Sequence, residues 1–472
     1  VYKLSVLAST TLLRERPKAV RQKVPFLPVK RPKIRNIILL IDESTTGERF
    51  QINGYPVKTT PFLAKNTHKF INFGVTSSGF TRTYMSHAFM QTGVRVKQIA
   101  EISSGHLKLD IRSLPTIFQF AKKVGIKNHF VDGPTYDRGK GLVQLTDLDR
   151  YIDNEVKIKD KYKGVKRYNI DNRLADELVN IIKNNKGYNF IYAKKLGTHY
   201  PFESRYPRSE MHFKPCLDAY RRRAFSVGNN KRLSELVMRS HHNALRWSTD
   251  SFFKRLMPKL QKLNSPTLII YTADHGHALE GCKKNYCFYM DIQSSVPLLF
   301  MPFNIDKKVH KSLVRANKRN HDKLSHYEIF PTLLRLFGYA KSDIDKHYGE
   351  SIFEKINKPR FQVHGRYAYT GDGERAGNNK FRLKPFHKSD LSKYIFASHG
   401  LPNTSSKSSP SPFLNAPESQ RHRRHCNERK VHPDQTKCGV FAKALASSYP
   451  TLLALKKRES GLFALGIGQE DF

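Results

Sequence analysis

The segment Asn36–Ile41 reads NIILLI, and Asp42 and Glu43 follow at once. An unbroken aliphatic run of this length, apolar on both faces, is the signature of a buried strand in a parallel sheet. Working outward, FIYAKKLG (Phe190–Gly197), TLIIYTADHG (Thr267–Gly276) and VPLLFM (Val296–Met301) read as further strands, and HFVDG (His129–Gly133) as a short one. LPTIFQFAKKVG (Leu114–Gly125) has Pro115 near a first turn and Gly125 at its stop, which predicts a helix. SHYEIFPTLLRLFGY (Ser325–Tyr339) predicts a late helix ending near Gly338. Strands alternating with helices predict an α/β fold: a mostly parallel central sheet with helices on both faces.

The chain has 472 residues and a formal net charge of +43. That charge excludes an ordinary acidic cytosolic enzyme and favours an anionic partner, nucleic acid or a membrane surface. Residues 1–35 carry ten Lys/Arg, one acid and four prolines, and read as a basic extended leader lying against anionic lipid head groups or simply solvated. The α/β pattern fills 36–370. Residues 371–472 are rich in Ser, Pro, Arg and His without periodicity, and read as an irregular, poorly ordered tail. No apolar run reaches the ~18 residues of a membrane-spanning helix, so the chain reads as soluble or as a fragment cut from a membrane part. Five cysteines without a Cys-x-x-Cys pair form no disulfide scaffold or zinc ribbon; Cys282 and Cys287 are a pair that an oxidising compartment would bridge. In the tail, His422, His425, Cys426, His432 and Cys438 do not have zinc-site spacing.

Three polar groups follow directly on three of the expected strands: Asp42-Glu43, Gly197-Thr198-His199 and Asp274-His275-Gly276. In a parallel sheet they share one edge, where ligands bind. Two carboxylates and an imidazole suit zinc, so Glu43, Asp274 and His275 are the candidate ligand set. A Thr or Ser hydroxyl at the remaining position would be ionised and would attack phosphorus.

The stretch from Asn36 to Met90, NIILLIDESTTGERFQINGYPVKTTPFLAKNTHKFINFGVTSSGFTRTYMSHAFM, resembles the opening of the sulfatase-like phosphoethanolamine transferases of the alkaline phosphatase superfamily. LGTHYPFESRYP, TADHGHALEG, SVPLLF and LSHYEIFPTLLRLFG match later motifs in order, and the resemblance covers about residues 36–355. It implies an alkaline phosphatase/sulfatase-like fold, a Zn2+ cofactor and a covalent phospho-threonine. Counting from Asn72-Phe73 places the nucleophile at Thr83, itself a metal ligand with Glu43, Asp274 and His275. Thr81 is the alternative if the loop slides by two residues, while Thr76, Ser77 and Ser78 lie too early. The resemblance gives His199 a role as general acid or as a binder of phosphoryl oxygens, and Arg82 falls where it can contact a phosphate oxygen.

There are departures. The family's second histidine is absent from CKKNYCFYMDIQSS (Cys282–Ser295), which leaves Lys283 or Tyr286 to meet the substrate phosphate. Asp42 stands where the family usually has Gly, and Cys216 lacks the close partner of the family's disulfide. The Cys/Ser-x-Pro-x-Arg motif of active sulfatases does not occur. The function expected is therefore zinc-dependent transfer of phosphoethanolamine from phosphatidylethanolamine to an envelope glycolipid, at the periplasmic face of a bacterial inner membrane. An anionic membrane surface is an expected partner, and sequence-specific nucleic acid is not. The alternatives are a phosphodiesterase or phosphoglycerol transferase on the same site, and an inactive, basic envelope-binding protein.

Overall fold

The computed structural model describes residues 20–103, 109–133, 148, 150–153, 166–217, 231–279, 291–364 and 382–391. Lys283, Tyr286, Cys282, Cys287, residues 1–19 of the leader and the tail residues from His422 to Cys438 lie outside them.

Seven strands form the main sheet: β1 (Asn36–Asp42), β2 (Ile71–Ser77), β3 (Lys127–Asp132), β4 (Arg150–Asp153), β5 (Asn189–Lys194), β6 (Thr267–Ala273) and β7 (Ser295–Phe303). Their spatial order is β2-β7-β6-β1-β5-β3-β4. β1 lies between β5 and β6, parallel to both, with Ile41 opposite Lys194 and Asp42 opposite Ala273. β7 alone runs against the rest, antiparallel to β6 and β2. The expected α/β architecture, mostly parallel, is the one observed.

The aliphatic run of β1 is explained by its two covered faces, because side chains alternate with a period of two. Ile37, Leu39 and Ile41 join one core with Phe190, Tyr192 and Ile270. Ile38 and Leu40 join the other with Ile191, Ile269 and Tyr271. The first face is closed by α2 (Ile117–Lys123), α6 (Lys307–Asn320) and α7 (Ile329–Phe337), and by Met90 of α1 (Thr83–Thr92). The second is closed by α3 (Ile170–Asn184) and α5 (Phe252–Lys262). α4 (Lys231–Leu245) runs into α5 through a π-helical turn, Arg246–Ser251. The helix expected between Leu114 and Gly125 is α2, held at its start by a Thr116–Gln119 capping box. The late helix is α7, stopped by Gly338 in the left-handed region.

Two segments are more ordered than their composition suggests. In the leader, Phe26 packs against the rings of Phe120 and Tyr339 at 5.5 and 5.6 Å, and Ile34 is buried. The N–H groups of Val29 and Lys30 both donate to the Gly338 carbonyl at 3.1 Å, so this part of the leader is seated on the end of α7. Beyond residue 371, β9 (Arg382–Pro385) pairs antiparallel with β8 (Phe361–His364), Phe386 is buried, and Lys388 Nζ bonds Asp322 Oδ2 at 2.8 Å. This hairpin holds the loop after β2. The Thr81 N–H donates to the Val363 carbonyl, Ser77 Oγ to the Phe361 carbonyl, and Arg360 Nη1 to the Val75 carbonyl.

Candidate active site

Glu43 and Asp274 continue β1 and β6 beyond their paired ends. The two strand ends are tied together by the Asp274 N–H donating to the Asp42 carbonyl at 2.9 Å. Ser44 turns the chain through a left-handed conformation, φ 57°. Its N–H and that of His275 both donate to Asp274 Oδ1 at 2.8 Å, and its hydroxyl donates to Glu43 Oε1 at 2.8 Å. Two carboxylates are thereby fixed side by side in a buried place, an arrangement that costs free energy unless a cation or protons compensate it.

His275 Nε2 stands 3.7 Å from Glu43 Oε1 and 3.6 Å from Asp274 Oδ2. Its Nδ1–H donates to the Gly276 carbonyl at 2.8 Å, which turns the Nε2 lone pair toward the carboxylates. Thr83, first residue of α1, places Oγ1 at 3.1 Å from Glu43 Oε1 and 3.3 Å from His275 Nε2. Two ligands at ~2.1 Å from a tetrahedral ion are roughly 3.4 Å apart, so these spacings are those of a ligand set. The donor chemistry agrees, since Asp274 Oδ2 is buried with no hydrogen-bond partner. Glu43, Asp274 and His275 are the group of metal-capable side chains found among the described residues. Their titration reflects the crowding. Burial and the Glu43 charge push the Asp274 carboxyl up to about 7. Against the effect of burial, the two carboxylates raise the His275 imidazole above its ordinary range.

The neighbouring elements align this set. Gly197 has φ +53°, and a Cβ there would meet the Glu43 backbone N and O at 2.6 Å, so the loop after β5 lies directly on Glu43. The Thr198 N–H donates to the Glu43 carbonyl, and its hydroxyl to that of Ser44. Ser86 of α1 donates to the Asp274 carbonyl at 2.6 Å and meets His326 Nδ1 at 3.2 Å, and His326 Nε2 meets Thr272 Oγ1 at 3.1 Å. His199 is exposed at the rim, with Nδ1 2.6 Å from the Tyr200 carbonyl and its backbone carbonyl held by Arg205 Nε. Its charge, like that of His275, favours the ionised form of Glu43. Arg82, the residue before α1, acts electrostatically on His275. Thr81 is buried, and no bond joins its hydroxyl to Glu43, Asp274 or His275. Lys283 lies outside the described residues.

Two further features of the site are not evident from the motifs alone. His277 follows His275 by two positions, with its N–H on Thr46 Oγ1 at 2.9 Å, and its titration responds to His275 and His199. The signal was present in the spacing of DHGH inside the second metal segment. The other is a buried ion pair behind Glu43. Lys195 Nζ meets Asp42 Oδ1 at 2.7 Å, and Thr249 Oγ1 and Tyr271 OH donate to Asp42 Oδ2 at 2.8 and 2.6 Å. Lys195 also donates to the Ser248 carbonyl at 2.7 Å. Asp42 is thus a fully bonded residue of the sheet and stands outside the ligand set.

The site is thus a strand-end carboxylate–imidazole cluster able to hold a cation, with a hydroxyl beside it at a helix start, on a mostly parallel α/β sheet. The chain belongs to the sulfatase family, whose model matches residues 35–339. It is 23% identical over 324 residues to phosphoethanolamine transferase EptA of Escherichia coli O157:H7, covering 64% of this chain and 53% of that protein. The chain therefore spans about half the length of the curated relatives it matches. Among solved structures, it superposes with TM-score 0.56 and 18% identity on the integral membrane lipooligosaccharide phosphoethanolamine transferase A of Neisseria meningitidis, over 72% of this chain and 62% of that one. It also superposes on the C-terminal periplasmic domain of EptC from Escherichia coli, solved in complex with Zn, with TM-score 0.53 and 18% identity, over 76% of this chain and all of that one.

Proposed function

We propose that this chain transfers phosphoethanolamine from phosphatidylethanolamine to an envelope glycolipid through a covalent intermediate on Thr83, with Zn2+ held by Glu43, Asp274, His275 and the Thr83 hydroxyl. The observation that carries the reading is the position of Thr83 Oγ1, within 3.3 Å of both Glu43 and His275 at the start of α1. The names of the relatives point to the same group and, for EptC, the same ion.

When bound, the ion supplies positive charge that lowers the pKa of the hydroxyl and screens the phosphoryl oxygens. Thr83 gives up the proton that it donates to Glu43, and its Oγ1 forms a bond to phosphorus. The bond from phosphorus to the diacylglycerol oxygen breaks, and His199 supplies the proton that oxygen needs. In the second step an acceptor oxygen attacks phosphorus and His199 takes the acceptor's proton, while the Thr83–phosphorus bond breaks and Glu43 returns the proton to Thr83 Oγ1. His275 keeps Nε2 toward the centre through its Gly276 bond, and Arg82 adds positive charge beside it. The reading places the site on the periplasmic face of a bacterial inner membrane. No helix among the described residues is long and apolar enough to cross a membrane.

The test is incubation with phosphatidylethanolamine and zinc, followed by mass spectrometry of the loop peptide. Thr83→Ala is expected to lose both adduct and product, by several orders of magnitude in rate, and Thr81→Ala to keep both. Loss with Thr81→Ala alone would move the nucleophile by two residues. No adduct on either threonine of the unaltered chain would leave the inactive, basic binding-protein reading.

A further inference from the structure

β1 runs from Asn36 to Asp42, so the residues before Asn36 lie at the sheet edge opposite Glu43, about 20 Å away at ~3.3 Å per residue. At that edge a cavity of about 640 Å³ lies between the leader, α6 and α7. Lys30, Arg31, Lys33, Lys308, Arg315 and Arg335 line it, with two further cations and no Asp or Glu. Its floor is apolar, with Ile34, Val309, Leu336 and Phe353. On the other side of α6 a second cavity, about 670 Å³, sets Lys69, Lys262, Lys307 and Lys311 around Phe62 and Phe303, again without a carboxylate. Phe303 pairs with Thr267, and Thr267 with Asn36, so both cavities open on the same edge.

Among the described residues, most of these cations have no carboxylate partner. Lys341 is bonded to Asp345, but among the described residues no carboxylate pairs with Lys30, Arg31, Lys33, Lys308, Arg315 or Arg335. The carbonyl end of α7 offers roughly half a charge, far less than eight cations carry. A second, independent observation lies beside them. The exposed large hydrophobic side chains of the described residues are Val20, Leu27 and Val29, all on the leader, with Leu27 63% and Val29 60% exposed. Uncompensated cations over an apolar floor, flanked by presented aliphatic side chains, match a surface that is anionic outside and apolar beneath. A nucleic acid would satisfy the cations and leave Leu27 and Val29 without partners.

We propose that this edge is a docking site for an anionic phospholipid bilayer, with Leu27 and Val29 entering the interface and the cations of the leader, α6 and α7 on the lipid phosphates. The site stands apart from Thr83, so a lipid held here is a contact separate from any donor, and the inference does not rest on the transferase reading.

The test is flotation of the full chain with phosphatidylcholine vesicles, with and without phosphatidylglycerol, at low and high salt. Binding is expected only with phosphatidylglycerol and is expected to weaken with salt. Arg31→Glu/Lys33→Glu should lower the partition coefficient at least about 25-fold, since each of the two cations near such a surface is worth roughly fivefold. Lys58→Glu/Lys254→Glu, exposed residues toward the opposite edge of the sheet, make the same change in net charge and should lower it far less. Leu27→Ser/Val29→Ser should lower it severalfold without altering charge. If the first pair melts out, Lys308→Glu/Arg315→Glu replaces it. Equal losses from the cavity and control pairs would reduce the effect to net charge and overturn the proposal. So would a duplex oligonucleotide that displaces the protein from vesicles and depends on Arg31 and Lys33 for its own binding.

Discussion

Lys195 and Asp42 form an ion pair of 2.7 Å with neither side chain exposed, one residue from Glu43. Every oxygen of Asp42 is bonded, so the pair is satisfied where it stands. Removing one partner strands a buried charge. Lys195→Met should therefore destabilise the protein by ~3–5 kcal/mol, whereas replacing both residues together with apolar ones should recover most of that. Urea unfolding of the single and double variants decides it. A single variant within ~1 kcal/mol of the unaltered chain would show that water reaches Asp42.

Gly197→Ala adds two costs. The left-handed backbone costs ~1–2 kcal/mol for an L side chain. The new Cβ also presses on the Glu43 backbone, where Gly54→Ala, at φ +93° with nothing within 4 Å, meets no such contact. Gly197→Ala should lower both thermal stability and zinc affinity, and Gly54→Ala stability alone. A zinc titration by calorimetry separates the two.

Asp322 is the pH-sensitive clasp between β2 and the late hairpin. Burial opposes its ionisation, but hydrogen bonds from His321, Lys388 and the Val75 N–H hold its carboxyl well below the usual range. A depressed native pKa means stability that is present above the unfolded value of ~3.9 and lost as pH falls toward the native one. The stability difference between the unaltered chain and Asp322→Asn should be constant near neutrality and shrink steadily below about pH 4. Because the side chain is only partly buried, at 25% exposure, the difference should be modest. A gap that widens on acidification would contradict this assignment.

Asp274 is held in place at a cost that a cation would remove. In chelator, Asp274→Asn should be at least as stable as the unaltered chain at neutral pH, because it removes the repulsion from Glu43. Zinc at a hundredfold its Kd should add ~2.7 kcal/mol to the unaltered chain and nothing comparable to Asp274→Asn. Thermal melts with and without zinc measure both. A variant that melts lower in chelator would mean that Asp274 stabilises the fold without a metal.

The convergence of Glu43, Asp274 and His275 was legible because a parallel sheet puts every strand's carboxyl end on one edge, so three strand-end motifs imply one place. The direction of β7 was not legible: a strand buried on both faces has the same apolar run in either direction. Nothing local marks Lys195 as buried, because its partner Asp42 lies 153 positions away. Phe26 was hidden in a Pro-rich basic stretch with no periodicity, and only its place against Phe120 and Tyr339 gives it meaning. Thr83 was reached by counting from Asn72-Phe73, and its neighbour Thr81 carried the same chemistry in sequence. In the structure the Thr83 hydroxyl stands beside Glu43 and His275, while the Thr81 N–H bonds the Val363 carbonyl.

That bond, from the Thr81 N–H to the Val363 carbonyl, has a consequence in time. A ribosome releases β1, the threonine loop and β6 long before it releases β8 and β9. The nascent chain then holds every candidate ligand while the loop that carries Thr83 still lacks its clasp. Bringing so distant a segment back is a loop closure whose entropy is lost before the contact forms. The candidate ligands are therefore all synthesised before the loop of Thr83 can gain this bond, which comes from residues that touch neither.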